Sequence, residues 1–204
     1  MNNLHSNNIA ARGFFSVEQQ VKPAPFWSTV RADVRRFREE DNNLRTVIRG
    51  LLSQGFQALF VYRIFRWFHE RRIPTQPVRF FVERFIEIIT GISLPAQATI
   101  GEGLRIHHFG GIIINSNAII GKHCTIYHEV TLGDRGGWGG APCVGNQVLI
   151  GAGAKLLGNI VIGDDCVIGA NAVVNISVPS GHVAVGVPAV VKKREESKKS
   201  DVSR

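Results

Sequence analysis

Two histidines stand where acid–base chemistry would use them. His108 follows Ile106 by two residues, His128 follows Ile126 by two, and the imidazoles are 20 residues apart. Imidazole changes charge near neutral pH, which makes it a natural base for taking a proton from a hydroxyl. His107 precedes His108 and points the other way on a regular strand, yet next to a turn it stays within reach of the same site. His5, His69 and His182 have no comparable placement and read as ordinary residues. The Gly- and Pro-rich stretch 134–143 comes shortly after His128 and is placed to fold over the pair.

What would hold these two side chains at one site is the pattern around them. Val144, Ile150, Leu156, Ile162, Ile168 and Val174 recur at every sixth position. Val148, Ala154, Ile160, Cys166, Ala172 and Val178 supply a second small or aliphatic set, and Gly145, Gly151, Gly163 and Gly169 follow at a fixed phase. Neither a helix nor a half-buried strand has that period. A repeating hexapeptide builds a parallel β-helix: each hexad is a strand and a turn, three hexads make a coil, and coils stack about 4.8 Å apart. The register runs back through Leu132, Ile126 and Ile120. Ile112, Ile106 and Ile100 form a further triplet offset by two residues, which places a two-residue insertion near 116–119. About five coils result, from Ile100 to Ala184. With the insertion, 20 residues is one full coil, so His108 and His128 stack on one face.

The remainder of the chain divides around this domain. Residues 1–22 are polar and read as disordered. Residues 23–93 form a helical domain, with helices over 26–40, over 44–71 as one segment ended by Pro74, and over 77–90 closed by Gly91. Residues 94–190 are the β-helix and 191–204 a charged, mobile tail. Phe60, Tyr62, Phe65, Trp67, Phe68, Phe80 and Phe81 read as a core or oligomer face between helices, with a peripheral membrane contact as the second reading. The net charge of +8 suits an anionic partner such as a phosphorylated cofactor. No nucleic-acid-binding motif accompanies it. Three cysteines without framework spacing point to a reduced, cytoplasmic protein, and Cys124 and Cys166 are assigned to different faces. No signal peptide is evident and no 18-residue apolar run occurs, so no membrane span is expected.

Several motifs carry a resemblance. Gly55-Phe56-Gln57-Ala58-Leu59, Tyr62-Arg63-Ile64, Leu94-Pro95-Ala96, Val130-Thr131-Leu132-Gly133, Ile150-Gly151-Ala152-Gly153-Ala154-Lys155 and Gly186-Val187-Pro188-Ala189 resemble the serine acetyltransferase branch of the hexapeptide-repeat acyltransferases. The resemblance implies a mainly β chain: a left-handed parallel β-helix with an N-terminal α-helical domain, assembled as a homotrimer or a dimer of trimers. It implies acetyl-CoA as co-substrate and no metal. His108 matches the catalytic base, with His128 as a second polar contact. Gly133, Asp134, Ala152 and Ala170 would line the CoA groove, Lys192 and Lys193 would meet its phosphates, and the Asp134 amide would face the oxyanion. Asp41 (or Glu40) and His107 would touch the acceptor.

The resemblance also has gaps. Ile92 stands where the family has the Asp that orients its histidine, His107 where it has a second Asp, and Gly140-Ala141-Pro142 where it has an Arg-His pair. Ile106-His107-His108 with Tyr127-His128 looks more like acetyltransferases of exopolysaccharide biosynthesis, such as the colanic-acid type. The expectation is therefore an O-acetyltransferase acting on a sugar hydroxyl of a surface polysaccharide, with a glycan or small-molecule acceptor. Serine O-acetyltransferase is the alternative. A zinc enzyme of the γ-carbonic-anhydrase kind, built on His108, His123 and His128, and a non-catalytic scaffold are weaker readings.

Overall fold

The structure is a computed structural model and describes residues 25–40, 43–136 and 140–194. The N-terminal segment 1–22 and the tail beyond 194 lie outside the described residues. Among the described residues four helices come first: α1 (Phe26–Glu40), α2 (Leu44–Leu51), α3 (Gln54–Glu70) and α4 (Val78–Thr90). The single helix expected over 44–71 is two. The Ser53 hydroxyl donates to the Gly50 carbonyl (2.6 Å) and accepts from the Phe56 amide (3.2 Å), closing one helix and capping the next.

Fifteen short strands follow. β1 (Ile92–Ser93), β2 (Thr99–Ile100) and β3 (Arg105–Ile106) form the first coil, and β4 (Ile112–Ile114), β5 (Ile119–Ile120) and β6 (Thr125–Ile126) the second. The third is β7 (Thr131–Gly133), β8 (Cys143–Val144) and β9 (Leu149–Ile150), and the fourth β10 (Lys155–Leu157), β11 (Val161–Ile162) and β12 (Val167–Ile168). A partial fifth coil holds β13 (Val173–Val174), a bridge at Val178 and β14 (His182–Val185), before β15 (Val190–Lys193) folds back antiparallel on β14. The coils begin at Ile92, one strand earlier than Ile100. Strands at the same level of each coil pair in parallel, giving sheet A (β1-β4-β7-β10-β13), sheet B (β2-β5-β8-β11) and sheet C (β3-β6-β9-β12-β14, edged by β15). This is a parallel β-helix. The sixth-position residues Ile120, Ile126, Leu132, Val144, Ile150, Leu156, Ile162 and Ile168 form its fully buried axis.

The register corrects two expectations. Ile106 pairs with Ile126, 20 residues on, but Ile114 pairs with Leu132, only 18 on. The two extra residues therefore lie between Ile106 and Ile114, in the corner that carries His108, and not near 116–119. Ile112 and Ile114 both point inward, so the hexad phase could be read through either one. Cys124 and Cys166 share one column rather than different faces: Thr125 bonds to Val148 and Leu149 to Cys166, which leaves Val148 between them. The loop after Gly133 adds a whole hexad and hides this in a simple count. Two coil spacings, about 9.6 Å, are too far for a disulfide, and all three cysteines are buried.

Helices α1 and α3 close the first coil. β2 is the edge of sheet B, and its unpaired backbone groups meet side chains. The Tyr62 hydroxyl donates to the Ala98 carbonyl (2.7 Å) and accepts from the Ile100 amide (3.1 Å). Arg63 donates to the carbonyls of Ile100 (2.6 Å) and Gly101 (2.7 Å), and its guanidinium is paired at 2.9 Å with Asp33 of α1, which also accepts from the Gly103 amide. Burial raises the Asp33 carboxyl above its ordinary value, against the opposing pull of Arg63. Of the helical aromatics, Tyr62 and Phe65 are core, whereas Phe80, Phe81 and Phe85 on α4 are exposed together with Val78 and Ile88. Among the described residues no helix is long and apolar enough to cross a membrane.

Candidate active site

The chain turns from sheet C to sheet A at one corner of the prism. His128, Ala152 and Ala170 take the middle position of that corner in successive coils: Gly153 bonds to the His128 carbonyl (2.9 Å) and Asn171 to that of Ala152 (2.8 Å). Glu129, Gly153 and Asn171 follow them in the left-handed region, with φ of 58°, 75° and 56°. The result is a ridge whose lower levels carry only methyl groups.

In the coil above, the corner bulges. His107 keeps the register, since its amide bonds to the Ile126 carbonyl (2.9 Å). The two extra residues then push His108 and Phe109 outward, and both are exposed. His108, Gly110 and Gly111 all have positive φ (64°, 91° and 68°). Histidine is one of the few side chains that enter this region readily. The end of α4 pins the bulge from behind. Gly110 donates to the Thr90 carbonyl (3.0 Å) and Ile112 to that of Gly91 (3.1 Å). A Cβ on Gly91 would stand 2.8 Å from the Gly110 Cα, so glycine is needed for the approach.

Four rings gather here. His107 stacks on Tyr127 with centroids 4.9 Å apart and planes at 12°. His108 meets His128 edge to face, at 5.6 Å and 81°. His128 Nδ1 is buried and has no hydrogen-bond partner among the described residues. Beside them the Lys155 ammonium donates to the Glu129 carbonyl and fixes the corner below.

Other residues singled out from the sequence lie elsewhere in the chain. Gly133 and Asp134 are at the far end of β7, where sheet A turns to sheet B. The 134–143 loop leaves from that corner too. Its Arg135 and Gly140 pack beside Gly158 and Asn159 of the next coil, so its described residues do not fold over the histidines. Lys192 and Lys193 pair with Val183 and His182, at the end of sheet C away from His108. His123 sits at the corner between sheets B and C, and among the described residues no group of three His, Cys, Asp or Glu is placed to hold a metal. Asp41 is outside the described residues. Ile92, at 2 % exposure, belongs to the core, so no carboxylate lies behind His108 at that position. The anchoring role of Asp33 and Arg63 is not legible in the sequence; an arginine within an apolar helix is the available signal.

Comparison with known proteins fits this geometry. A profile described as bacterial transferase hexapeptide (six repeats) matches residues 144–175. A serine acetyltransferase of Helicobacter pylori is 45 % identical over 145 residues, covering 68 % of this chain and 81 % of the relative. The chain belongs to the serine acetyltransferase family of hexapeptide-repeat acyltransferases. The solved serine acetyltransferase of Neisseria gonorrhoeae superposes with a TM-score of 0.76 at 33 % identity, over 83 % of this chain and 67 % of that one. A Brucella abortus serine acetyltransferase in complex with coenzyme A does so at 0.76 and 29 %, over 88 % and 72 %. The protein is thus an acyltransferase with acetyl-CoA as co-substrate.

These relatives overturn the expected polysaccharide acceptor. Matches between 32 % and 45 % identity all carry the name serine acetyltransferase. The expectation gave too much weight to Ile92, His107 and the short loop, and too little to the match along the remaining coils.

Proposed function

We propose that the chain is a serine O-acetyltransferase. The observation that carries this reading is the family match along the coils, joined to an exposed imidazole, His108, above a ridge of small residues. His108 takes the proton of the serine hydroxyl, and the oxygen attacks the thioester carbonyl of acetyl-CoA. The tetrahedral intermediate collapses, the acetyl group stays on the serine oxygen, and the departing CoA sulfur takes the proton back from His108. Both substrates are bound together and no acyl-enzyme forms. A backbone amide facing the oxyanion would contribute about 3–4 kcal/mol, and the Asp134 amide is the assigned donor.

Gly133, Asp134, Lys192 and Lys193 stand away from His108 within one chain, so they join its site only where another copy presents them. This supports a homotrimer, or a pair of trimers, with CoA held between copies. The exposed apolar stripe on α4 fits such an assembly better than a bilayer, because Arg79 and Arg84 on that helix are already paired with Glu83 and Glu87. The absence of an Arg-His pair at 140–142 predicts weak saturation by serine.

The test is thiol release from acetyl-CoA with L-serine. Serine-dependent release that falls about 10²- to 10⁴-fold in His108→Ala supports the reading. Native protein that releases no CoA with serine sinks it.

A further inference from the structure

A histidine base works only if its ring and tautomer are held, and His108 has no visible holder. It is exposed on the bulged corner, and no described residue hydrogen-bonds its ring. Ile92 is buried in the core where the resemblance expects the orienting carboxylate. The nearest candidate is the other imidazole. His128 lies one coil below, with centroids 5.6 Å apart. Two imidazoles joined by a direct N–H···N bond have centroids roughly 5 Å apart, given about 2.9 Å between the nitrogens. The gap to close is therefore roughly half an ångström and one ring rotation.

The second observation is the state of His128 itself. Its Nδ1 is sealed from solvent with no hydrogen-bond partner among the described residues, while its Nε2 is not in that condition. A buried polar atom left without a partner is costly, and native structures rarely keep one. We propose that His128 is the positioning residue of this site: the His108 ring N–H donates to His128 Nδ1, which fixes the His108 tautomer and leaves its other nitrogen bare to accept the hydroxyl proton. An imidazole so takes the place of the carboxylate that Ile92 excludes. The proposal rests on His108 being the base in the reading above.

The two nitrogens of His128 can be tested separately. In asparagine the amide oxygen stands about where Nδ1 does; in glutamine the amide stands about where Nε2 does. His128→Ala, His128→Asn and His128→Gln are made in the full chain, with thermal unfolding measured for each to match folded fractions. The expected result is a fall in kcat of at least about tenfold for Ala and Gln, with KM for acetyl-CoA and serine unchanged, and near-native kcat for Asn. Glutamine active while asparagine is not, or all three at the native rate, overturns the proposal. Nitrogen-15 NMR of the His108 ring gives an arm that needs no acceptor. One tautomer in native and Asn proteins and a mixture in Ala support the proposal; the same mixture in all three refutes it. If native protein fails to turn over serine, the acceptor reading falls while the NMR arm still decides the role of His128.

Discussion

At the corner between sheets B and C, successive coils repeat one solution; at the corner between C and A, one coil departs from it. The B–C corner stacks Gly101, Gly121, Gly145 and Gly163, and a side-chain ladder runs down its next position. The Lys122 amide donates to Asn146 Oδ1 (2.8 Å), the Asn146 amide to Asp164 Oδ1 (2.6 Å) and the Asp164 amide to Ser180 Oγ (3.1 Å). The C–A corner has two extra residues, an exposed histidine in the left-handed region and a buried nitrogen without a partner. Repetition gives the amides of Gly121, Gly145 and Gly163, and of the residue after each glycine in the ladder, a partner in the next coil. The departure exposes a base, and a proton-transfer site needs that exposure. Stability and chemistry are thus assigned to different edges of the same prism.

Substitutions at each edge should break this division in opposite ways. The largest effect belongs to His108→Ala, which should remove activity by the factor given above while leaving the unfolding midpoint within a degree or two. A large drop in the midpoint would show that the bulge is structural. Next comes Cys124, inside the B–C corner, whose thiol donates to the Gly145 carbonyl (3.1 Å). Burial pushes its pKa from 9.0 up to about 12. A raised pKa contributes stability that is complete below pH 9 and lost as pH climbs toward 12, roughly 4 kcal/mol at most. Urea unfolding between pH 8 and 11 should show that decline, and Cys124→Ala should flatten it. A decline of equal slope in the variant would assign it to other groups.

Gly121→Ala should follow at about 1–3 kcal/mol, because the added Cβ would stand 2.5 Å from the Gly145 backbone of the coil below. Thermal unfolding measures it, and activity per folded molecule should not change. Asn146→Ala removes one rung acceptor from the ladder and should cost about 1 kcal/mol. If Asn146→Ala lowered kcat with no loss of stability, the separation between the two corners would fail.

The coils could be read from the sequence because a period of six survives through most of the chain, lengthening between Ile106 and Ile114, adding a hexad after Gly133 and shortening to four residues between Val174 and Val178. The exceptions are where reading went astray. Ile112 and Ile114 both enter the core, so the insertion could not be located by counting. The excursion after Gly133 is one hexad longer than a plain turn and shifts later columns without breaking the phase. The break at Ser53 has no proline to mark it, and Gly50 and Gly55 to either side lie inside the helices; a hydroxyl cap in such a run has a weak signature. At the site, His108 and His128 were legible from their spacing alone. The resemblance assigns Lys192 and Lys193 to the CoA phosphates, and it does not say that β15 doubles back along β14. The acceptor does not follow from Ile92, His107 and the short loop, because those three departures weigh less than motifs spread over five coils.

A solenoid has no internal reason to stop. Each coil offers the next one a ready row of amides and carbonyls, and at an open end that row would accept a strand from any neighbouring molecule. Tyr62, Arg63 and Asp33 occupy those positions on the first coil, and β15 turns back across the last. The helices that look like an appendage therefore set the protein's length, and keep a fold capable of indefinite growth finite.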